Sequence, residues 1–194
     1  MKVFLTGATG HIGSAVTERL RAAGHEVSAL ARSDTSAGKL AATGIRAVRG
    51  DFSDPRSITA AAREADGVIS LATTYDPSID GPAIDTILDA LSGSNKPFIY
   101  TSGIWSHGDT GGKVVDETAP PKPAQIVSWR QAVEDRVLQG SGRGIRSGDP
   151  SRHCVWPGWR HSGRVRRVRA EGRCRAVRRY RRESLAFRPR GRSR

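Results

Sequence analysis

The segment Val3-Phe-Leu-Thr-Gly7-Ala-Thr-Gly10-His-Ile-Gly13 places a short apolar run directly before three regularly spaced glycines. The run has the length of a buried strand, and a helical pattern begins at His11. Gly7 permits a tight turn, Gly10 lets a phosphate approach the backbone, and Gly13 lets the helix pack on the strand. The segment therefore predicts a strand, a turn and a helix whose amino end binds a diphosphate.

Strand-length apolar runs alternate with helical patterns through the first three quarters of the chain. Strict alternation is typical of a parallel sheet covered by helices on both faces. We therefore predict an α/β fold, a doubly wound Rossmann-type parallel sheet, over residues 1–147. The predicted strands are 3–6, 27–31, 46–48, 68–72 and 98–102, and the predicted helices are 12–23, 39–43, 58–65, 84–91 and 126–138.

The first predicted helix carries its apolar residues at helical spacing, so one stripe is expected to face the sheet. That stripe consists of Ile12, Val16, Leu20 and Ala23. Gly24 follows it and is expected to end the helix.

The charge of the chain is divided very unevenly. Residues 1–144 contain 15 Lys and Arg against 16 Asp and Glu, whereas residues 145–194 contain 17 Arg, no Lys and 3 acidic residues. The net charge of +13 therefore lies in the tail, residues 148–194, which shows no apolar periodicity. We expect this tail to be disordered or out of frame.

The reading-frame hypothesis depends on the genetic code. A tryptophan codon displaced by one nucleotide becomes a glycine codon, so Trp156 and Trp159 each give glycine in the shifted frame. With suitable third bases, that frame from Gly148 onward encodes an RPGxVYG segment. The sheet would then lack the sixth strand expected near residues 144–147, and the coding DNA would decide the question.

Composition argues against several classes of protein. Both cysteines, Cys154 and Cys174, lie in the tail, so no disulfide framework and no metal-binding pair is expected. No window has the roughly 18 apolar residues that a membrane span requires. We expect a cytoplasmic protein that acts on a small molecule rather than at a membrane.

Five motifs together resemble the extended or atypical short-chain dehydrogenase/reductase superfamily, which is NAD(P)-dependent and epimerase/dehydratase-like. The motifs are TGATGHIG, LARS, GDFSD, VISLAT and FIYTSG, and the likeness covers about residues 2–140. The resemblance implies NADP or NAD as the cofactor. The residues expected to bind its diphosphate are Gly7, Thr9, Gly10, His11, Ile12 and Gly13.

The resemblance also implies roles for residues at the ends of other strands. Arg32 stands where a cation meets the adenosine 2′-phosphate, which favours NADP, although the nearby Asp34 weakens that preference. Asp51 and Phe52 match an adenine contact, and the alternative is that Asp51 caps the next helix. The segment expected along the nicotinamide ribose is Leu71, Ala72 and Thr73.

The catalytic Tyr-x-x-x-Lys pair of this superfamily is not found in the expected places. Aligned through the Pro-rich loop and Glu134, the Tyr position falls on Val127 and the Lys position on Gln131. The Ser/Thr position falls on Gly103, one residue after Ser102. Ser102 and His107 remain as candidate catalytic residues.

Two aromatic residues, Trp105 and Trp129, are candidates to line a substrate pocket together with His107. For each of them, ordinary packing or surface exposure is the alternative interpretation.

Three functions are compatible with these patterns. The first is hydride transfer between a nicotinamide cofactor and a small carbonyl or hydroxyl substrate. The second is a catalytically silent dinucleotide-binding protein of the redox-sensor type, which the missing Tyr and Lys favour. The third is nucleic-acid binding through the Arg-rich tail, a remoter alternative because a selected basic arm normally mixes Lys with Arg.

Overall fold

The computed structural model describes residues 1–112, 115, 119–140, 145–147, 168–170 and 173–175. Within the basic tail, only residues 168–170 and 173–175 are described. The disorder, reading-frame and nucleic-acid hypotheses for the tail therefore concern residues outside the described ranges. The strands are β1 (Lys2–Thr6), β2 (Glu26–Ala31), β3 (Arg46–Arg49), β4 (Gly67–Ser70), β5 (Pro97–Tyr100), β6 (Arg146–Ser147), β7 (Val168–Ala170) and β8 (Arg173–Arg175). The helices are α1 (His11–Ala22), α2 (Asp34–Ala42), α3 (Pro55–Glu64), α4 (Pro77–Leu91) and α5 (Arg130–Gln139), with 3-10 helices at Ile104–His107 and Gln125–Val127.

Strands β1 to β6 form one parallel sheet in the order β3-β2-β1-β4-β5-β6. The strand order reverses between β1 and β4, and ligands of open α/β sheets bind in the crevice at that reversal. The predicted doubly wound, Rossmann-type α/β fold is confirmed. Strands β7 and β8 pair antiparallel in a separate two-stranded sheet that the sequence patterns did not predict.

The reading-frame hypothesis implied that the sheet would lack its sixth strand, and this expectation was wrong. The sheet has a sixth strand, because Arg146 pairs with Pro97 and Ser147 with Phe98 in parallel register. Two residues therefore suffice to extend the sheet beyond β5, on the side opposite β3.

Helices cover both faces of the sheet, and each face has its own apolar cluster. Helices α3, α4 and α5 pack over Phe4, Val68 and Phe98, all at most 1% exposed. Helices α1 and α2 pack over the other face, where Leu5 and Ala29 are fully buried. The sheet is therefore a rigid layer that fixes the positions of the loops at its carboxyl edge.

Half of the predicted stripe of α1 is confirmed, because Val16 and Leu20 are partly buried against the apolar cluster on this face. The other half was wrong, because Ile12 is 51% exposed and Ala23 is exposed, and the fully buried residues of the helix are Gly13 and Thr17. The cause is Gly13, because a residue without a side chain brings this face of the helix against the turn before it. Gly24 follows the helix with φ of 79°, as expected for a residue that ends a helix.

Side-chain caps explain why two helices begin earlier than their apolar patterns do. Ser33 caps α2 by accepting a hydrogen bond from Ser36 N–H, and Asp76 caps α4 by accepting one from Ser78 N–H. Both helices therefore start at least one turn before the predicted residues 39 and 84.

No described helix is long and apolar enough to cross a membrane. Among the same residues, no group of three or more His, Cys, Asp and Glu side chains comes together to hold a metal ion.

Candidate functional site

The glycine turn between β1 and α1 has no room for side chains at two of its glycines. A Cβ on Gly7, whose φ is 75°, would lie 2.8 Å from Ala72 N. A Cβ on Gly13 would lie 2.0 Å from the Gly7 carbonyl oxygen, and one on Gly10 would lie 3.3 Å from the same atom. The turn is therefore folded tightly on itself and against the end of β4.

The amino end of α1 is open to a ligand. Gly10 is its N-cap residue and supplies no side-chain hydrogen bond, whereas α2, α3 and α4 are all capped by side chains. Thr9, Gly10, His11 and Ile12 are all exposed. An uncapped helix terminus presents N–H donors and a positive dipole end, which suits a phosphate group.

The carboxyl ends of β2 and β3 border an open pocket of about 430 Å³. Arg32 stands there with a side chain that is 79% exposed, and its Nε lies 3.9 Å from Asp51 Oδ2. Asp34 does not leave an unbalanced negative charge beside Arg32, because it forms an ion pair with Arg49. The remaining lining residues are Ala31, Ser33, Gly50 and Asp54.

Asp51 forms a turn rather than a helix cap. Its Oδ1 accepts hydrogen bonds from Ser53 N–H at 2.9 Å and from Ser53 Oγ at 2.8 Å. These hydrogen bonds, followed by the charge of Arg32, hold the pKa of Asp51 below its usual value. The cap of α3 is Asp54, which accepts from Arg56 N–H, so the capping alternative for Asp51 was wrong.

Phe52 does not offer its ring to this pocket. Its side chain is 6% exposed and belongs to the apolar cluster beneath α3 and α4. Only the backbone of Phe52 remains for a contact with a ligand.

The end of β4 reaches the crevice through Leu71, Ala72 and Thr73, each half-buried. Thr6 Oγ1 joins β1 to β4 by a buried hydrogen bond to Ser70 Oγ at 3.1 Å. Thr73 Oγ1 donates to Asp80 Oδ2 at 2.6 Å, and Asp80 is 4% exposed. A buried carboxylate of α4 thus fixes the loop that follows β4.

Helix α5 brings two charged residues, Arg130 and Glu134, close to the end of β4. Sequence reasoning did not identify either of them as a site residue. Arg130 is 7% exposed, and its Nη2 donates to Thr73 Oγ1 at 2.7 Å. Glu134, one turn further on, accepts a hydrogen bond from Ser102 Oγ. The side-chain hydroxyl of Ser102 is therefore directed at a carboxylate.

The hydrogen bonds of Thr73, Asp80, Arg130, Ser102 and Glu134 form a polar network. The alignment that placed the family's Tyr and Lys on Val127 and Gln131 did not identify the residues of this network. Val127 is 4% exposed and packs inside the protein. A sequence signal for Arg130 did exist, because residues 130, 133 and 137 occupy one face of a helix and the other two are valines. A charged residue on an otherwise apolar stripe indicates a buried functional or structural group.

Burial raises the pKa of Tyr100, at the end of β5, above its usual value of 10.0. The charges of Arg130 and Glu134 both act on this phenol, in opposite directions. Tyr100 therefore keeps its proton near neutral pH and can act there as a hydrogen-bond donor, not as a base.

His107 ends the first 3-10 helix, and its Nδ1 is buried without a hydrogen-bond partner among the described residues. Within the same residues, no hydrogen bond joins His107 to Ser102. Trp105 is 56% exposed, whereas Trp129 is half-buried beside Arg130. The structure thus brings Ser102 and Trp129 to the network around Arg130 and gives His107 no catalytic partner there.

A sequence comparison decides the family. The profile described as NAD(P)H-binding matches residues 7–143, which is more than half of the chain. The chain belongs to the NAD(P)H-binding family. The glycine turn of this NAD(P)H-binding domain lies at the start of the matched range, and α5 lies at its end.

Two similar yeast proteins are longer than this chain. The NAD(P)H-binding domain is 45% identical over 115 residues to YLL056C of Saccharomyces cerevisiae, covering 55% of this chain and 39% of that protein. It is 34% identical over 157 residues to C2A9.02 of Schizosaccharomyces pombe, covering 76% of this chain and 51% of that protein. The chain therefore spans about half or less of the length of these curated relatives.

Among solved structures, the NAD(P)H-binding domain resembles the UDP-glucose 4-epimerase of Thermus thermophilus in complex with NAD. The TM-score is 0.64 and the identity 25%, covering 76% of this chain and 53% of that chain. The NAD(P)H-binding domain thus has an NAD-bound epimerase as a structural neighbour and spans about half of that neighbour's length.

Proposed function

We propose that residues 1–147 form a domain that binds NADP in preference to NAD and serves an oxidoreductase or epimerase/dehydratase-type reaction on a small carbonyl or hydroxyl substrate. The observation that carries this proposal is the glycine turn. Gly7 and Gly13 leave no space for a Cβ, and α1 begins without a side-chain cap. This cradle has the backbone approach and the N–H donors that a diphosphate requires.

Each part of the crevice suits one part of the cofactor. The turn from Gly7 to Gly13, including Thr9, His11 and Ile12, would hold the diphosphate. Asp51 would contact the adenosine half, and Leu71, Ala72 and Thr73 would line the other half. When bound, the nicotinamide supplies or accepts a hydride.

The preference for NADP depends on Arg32. Its guanidinium is largely exposed at the end of β2, where the 2′ position of an adenosine would lie. The ion pair of Asp34 with Arg49 reduces the repulsion that Asp34 would otherwise exert on a phosphate there, and the acidic neighbour of Arg32 itself is Asp51. Arg32 can therefore form a charge-assisted hydrogen bond to a 2′-phosphate.

Substitution of Arg32 by alanine tests this preference. We expect Arg32→Ala to weaken NADPH binding by about tenfold or more, because a hydrogen bond to a charged group is lost, and to leave NADH binding unchanged. The affinities of both nucleotides would be measured by fluorescence titration. Arg56→Ala is the matched control, since Arg56 is exposed on α3 and does not line the pocket. Equal losses for NADPH and NADH would refute the role of Arg32.

A second candidate function is dinucleotide binding without turnover, as in a redox sensor. The observation that favours it is the absence of a phenol at Val127 and of a lysine at Gln131. Binding of NADPH without its oxidation by any member of a panel of aldehydes, ketones and quinones would support this candidate. Cofactor-dependent turnover of one member would exclude it.

A further inference from the structure

Arg130 has unused hydrogen-bond donors although its charge is balanced. Asp80 balances the charge through Thr73, whose hydroxyl accepts from Arg130 Nη2 at 2.7 Å and donates to Asp80 Oδ2 at 2.6 Å. No carboxylate of the described residues forms an ion pair with Arg130 directly. Nε is buried without a partner, and Nη1 makes no hydrogen bond within the described part of the chain.

Two aromatic rings fix the guanidinium group. Its central carbon lies 5.6 Å from the centroid of the Tyr75 ring and 5.3 Å from that of Trp129. Tyr75 has φ of 62°, an unfavourable conformation for a bulky residue, and its N–H donates to Thr73 Oγ1 at 3.2 Å. The strained backbone at Tyr75, in the loop after β4, therefore places an aromatic ring beside Arg130.

The space beside Nη1 is kept open by a glycine. A Cβ built on Gly103 would lie 3.8 Å from Arg130 Nη1, so a larger side chain there would occupy the approach to this nitrogen. The neighbouring Ser102 does not fill the space, because its hydroxyl donates to Glu134. Nη1 is therefore the remaining donor of Arg130 that lies beside the exposed backbone of Gly103.

We propose that Arg130 holds the carbonyl oxygen of a flat, uncharged organic substrate through Nη1, with Tyr75 and Trp129 as aromatic walls. An uncharged oxygen fits better than an anion, because the carboxylate of Asp80 already balances the charge of Arg130 through Thr73. This assignment rests on the proposed function, since it names the substrate class of the same crevice. It also explains what replaces the missing phenol as a hydrogen-bond donor to substrate.

The test uses acetophenone as the flat carbonyl probe and benzoate as its anionic counterpart. Binding of each to the full chain, free and saturated with NADP⁺, would be measured by saturation-transfer NMR, which needs no turnover. We expect Arg130→Gln to weaken acetophenone binding by about tenfold or more, as the loss of a hydrogen bond to a charged donor implies. The affinity for NADP⁺ is expected to stay within about threefold.

Arg136→Gln is the matched control. Arg136 lies on the same helix, where its Nε donates to Asp85 at 2.7 Å, and it should leave acetophenone binding unchanged. Gly103→Val is a second test that leaves Arg130 in place. The backbone of Gly103, with φ of −127°, accepts a side chain, and the new side chain should weaken acetophenone binding by obstructing Nη1.

Three results would overturn the proposal. The first is acetophenone binding that is unchanged in Arg130→Gln and in Gly103→Val. The second is benzoate binding that is tighter than acetophenone binding and dependent on Arg130, which would make the ligand an anion. The third is no binding of acetophenone to the wild-type chain up to its solubility limit. If NADP⁺ does not bind while acetophenone binds through Arg130, the proposed function fails and the assignment of Arg130 stands.

Discussion

Replacement of Gly13 by alanine is the most informative perturbation of the glycine turn. The added methyl carbon would lie 2.0 Å from the Gly7 carbonyl oxygen and 2.7 Å from Ala8 Cα, both backbone atoms that cannot rotate away. Because non-bonded heavy atoms pack best at about 3.5–4.0 Å, α1 would have to move outward by roughly 1.5 Å. Overpacking of this kind costs about 1–3 kcal/mol of folding stability.

The same displacement carries the amino end of α1 away from the position that we propose for the diphosphate. Loss of one hydrogen bond to a charged group is worth about 1.5–3 kcal/mol, which corresponds to about 10- to 100-fold in affinity. Fluorescence titration with NADPH and thermal melts of the same samples would measure both effects. We expect weaker binding and a lower melting temperature in Gly13→Ala.

Gly38→Ala is the matched control for this experiment. Gly38 lies inside α2, and no atom lies within 4 Å of a Cβ built on it. Alanine there should stabilise the protein by up to about 1 kcal/mol through helix propensity and leave NADPH binding unchanged. Folded Gly13→Ala protein that binds NADPH as tightly as Gly38→Ala would refute the reasoning.

Two further predictions concern polar contacts. Thr6→Val should destabilise the protein by about 1–3 kcal/mol in denaturant melts, because Ser70 Oγ loses its buried partner at 3.1 Å. The double variant with Ser70→Ala should recover part of that loss. Strictly additive effects of the two substitutions would contradict an energetic coupling between these hydroxyls. The lowered pKa of Asp51 means that its ionised form stabilises the fold above the unfolded pKa of about 3.8, and that this contribution is lost as pH falls through the lower, folded-state pKa. Asp51→Asn should therefore melt at a lower temperature than wild type at neutral pH, and the difference should shrink on acidification; a difference independent of pH would contradict the prediction.

Sequence periodicity predicted the order and type of the elements in the sheet because each apolar run has the length that its element needs. Helix boundaries were less accessible, because the caps Ser33 and Asp76 lie outside the apolar patterns that identified α2 and α4. The reading-frame hypothesis led us to expect no sixth strand, and the two residues of β6 are too few to show a periodicity that would have indicated one.

The candidate site was predictable where chemistry depends on the backbone and less so where it depends on side chains. The spacing of Gly7, Gly10 and Gly13 indicates a close backbone approach, and the structure has one at these positions. The position of Arg130 depends on which face of α5 meets the sheet and on the loop that Asp80 fixes, and both are tertiary properties. An alignment by motif alone could not supply them.

Amide chemical shifts test the central claim most directly, because the claim concerns the N–H groups of the turn and of the first residues of α1. Titration of ¹⁵N-labelled protein with NADP⁺ should produce saturable shift changes that are largest for the amides of residues 7–13, and inorganic pyrophosphate should reproduce part of them. A folded protein whose turn amides stay unchanged at saturating NADP⁺ would contradict the account.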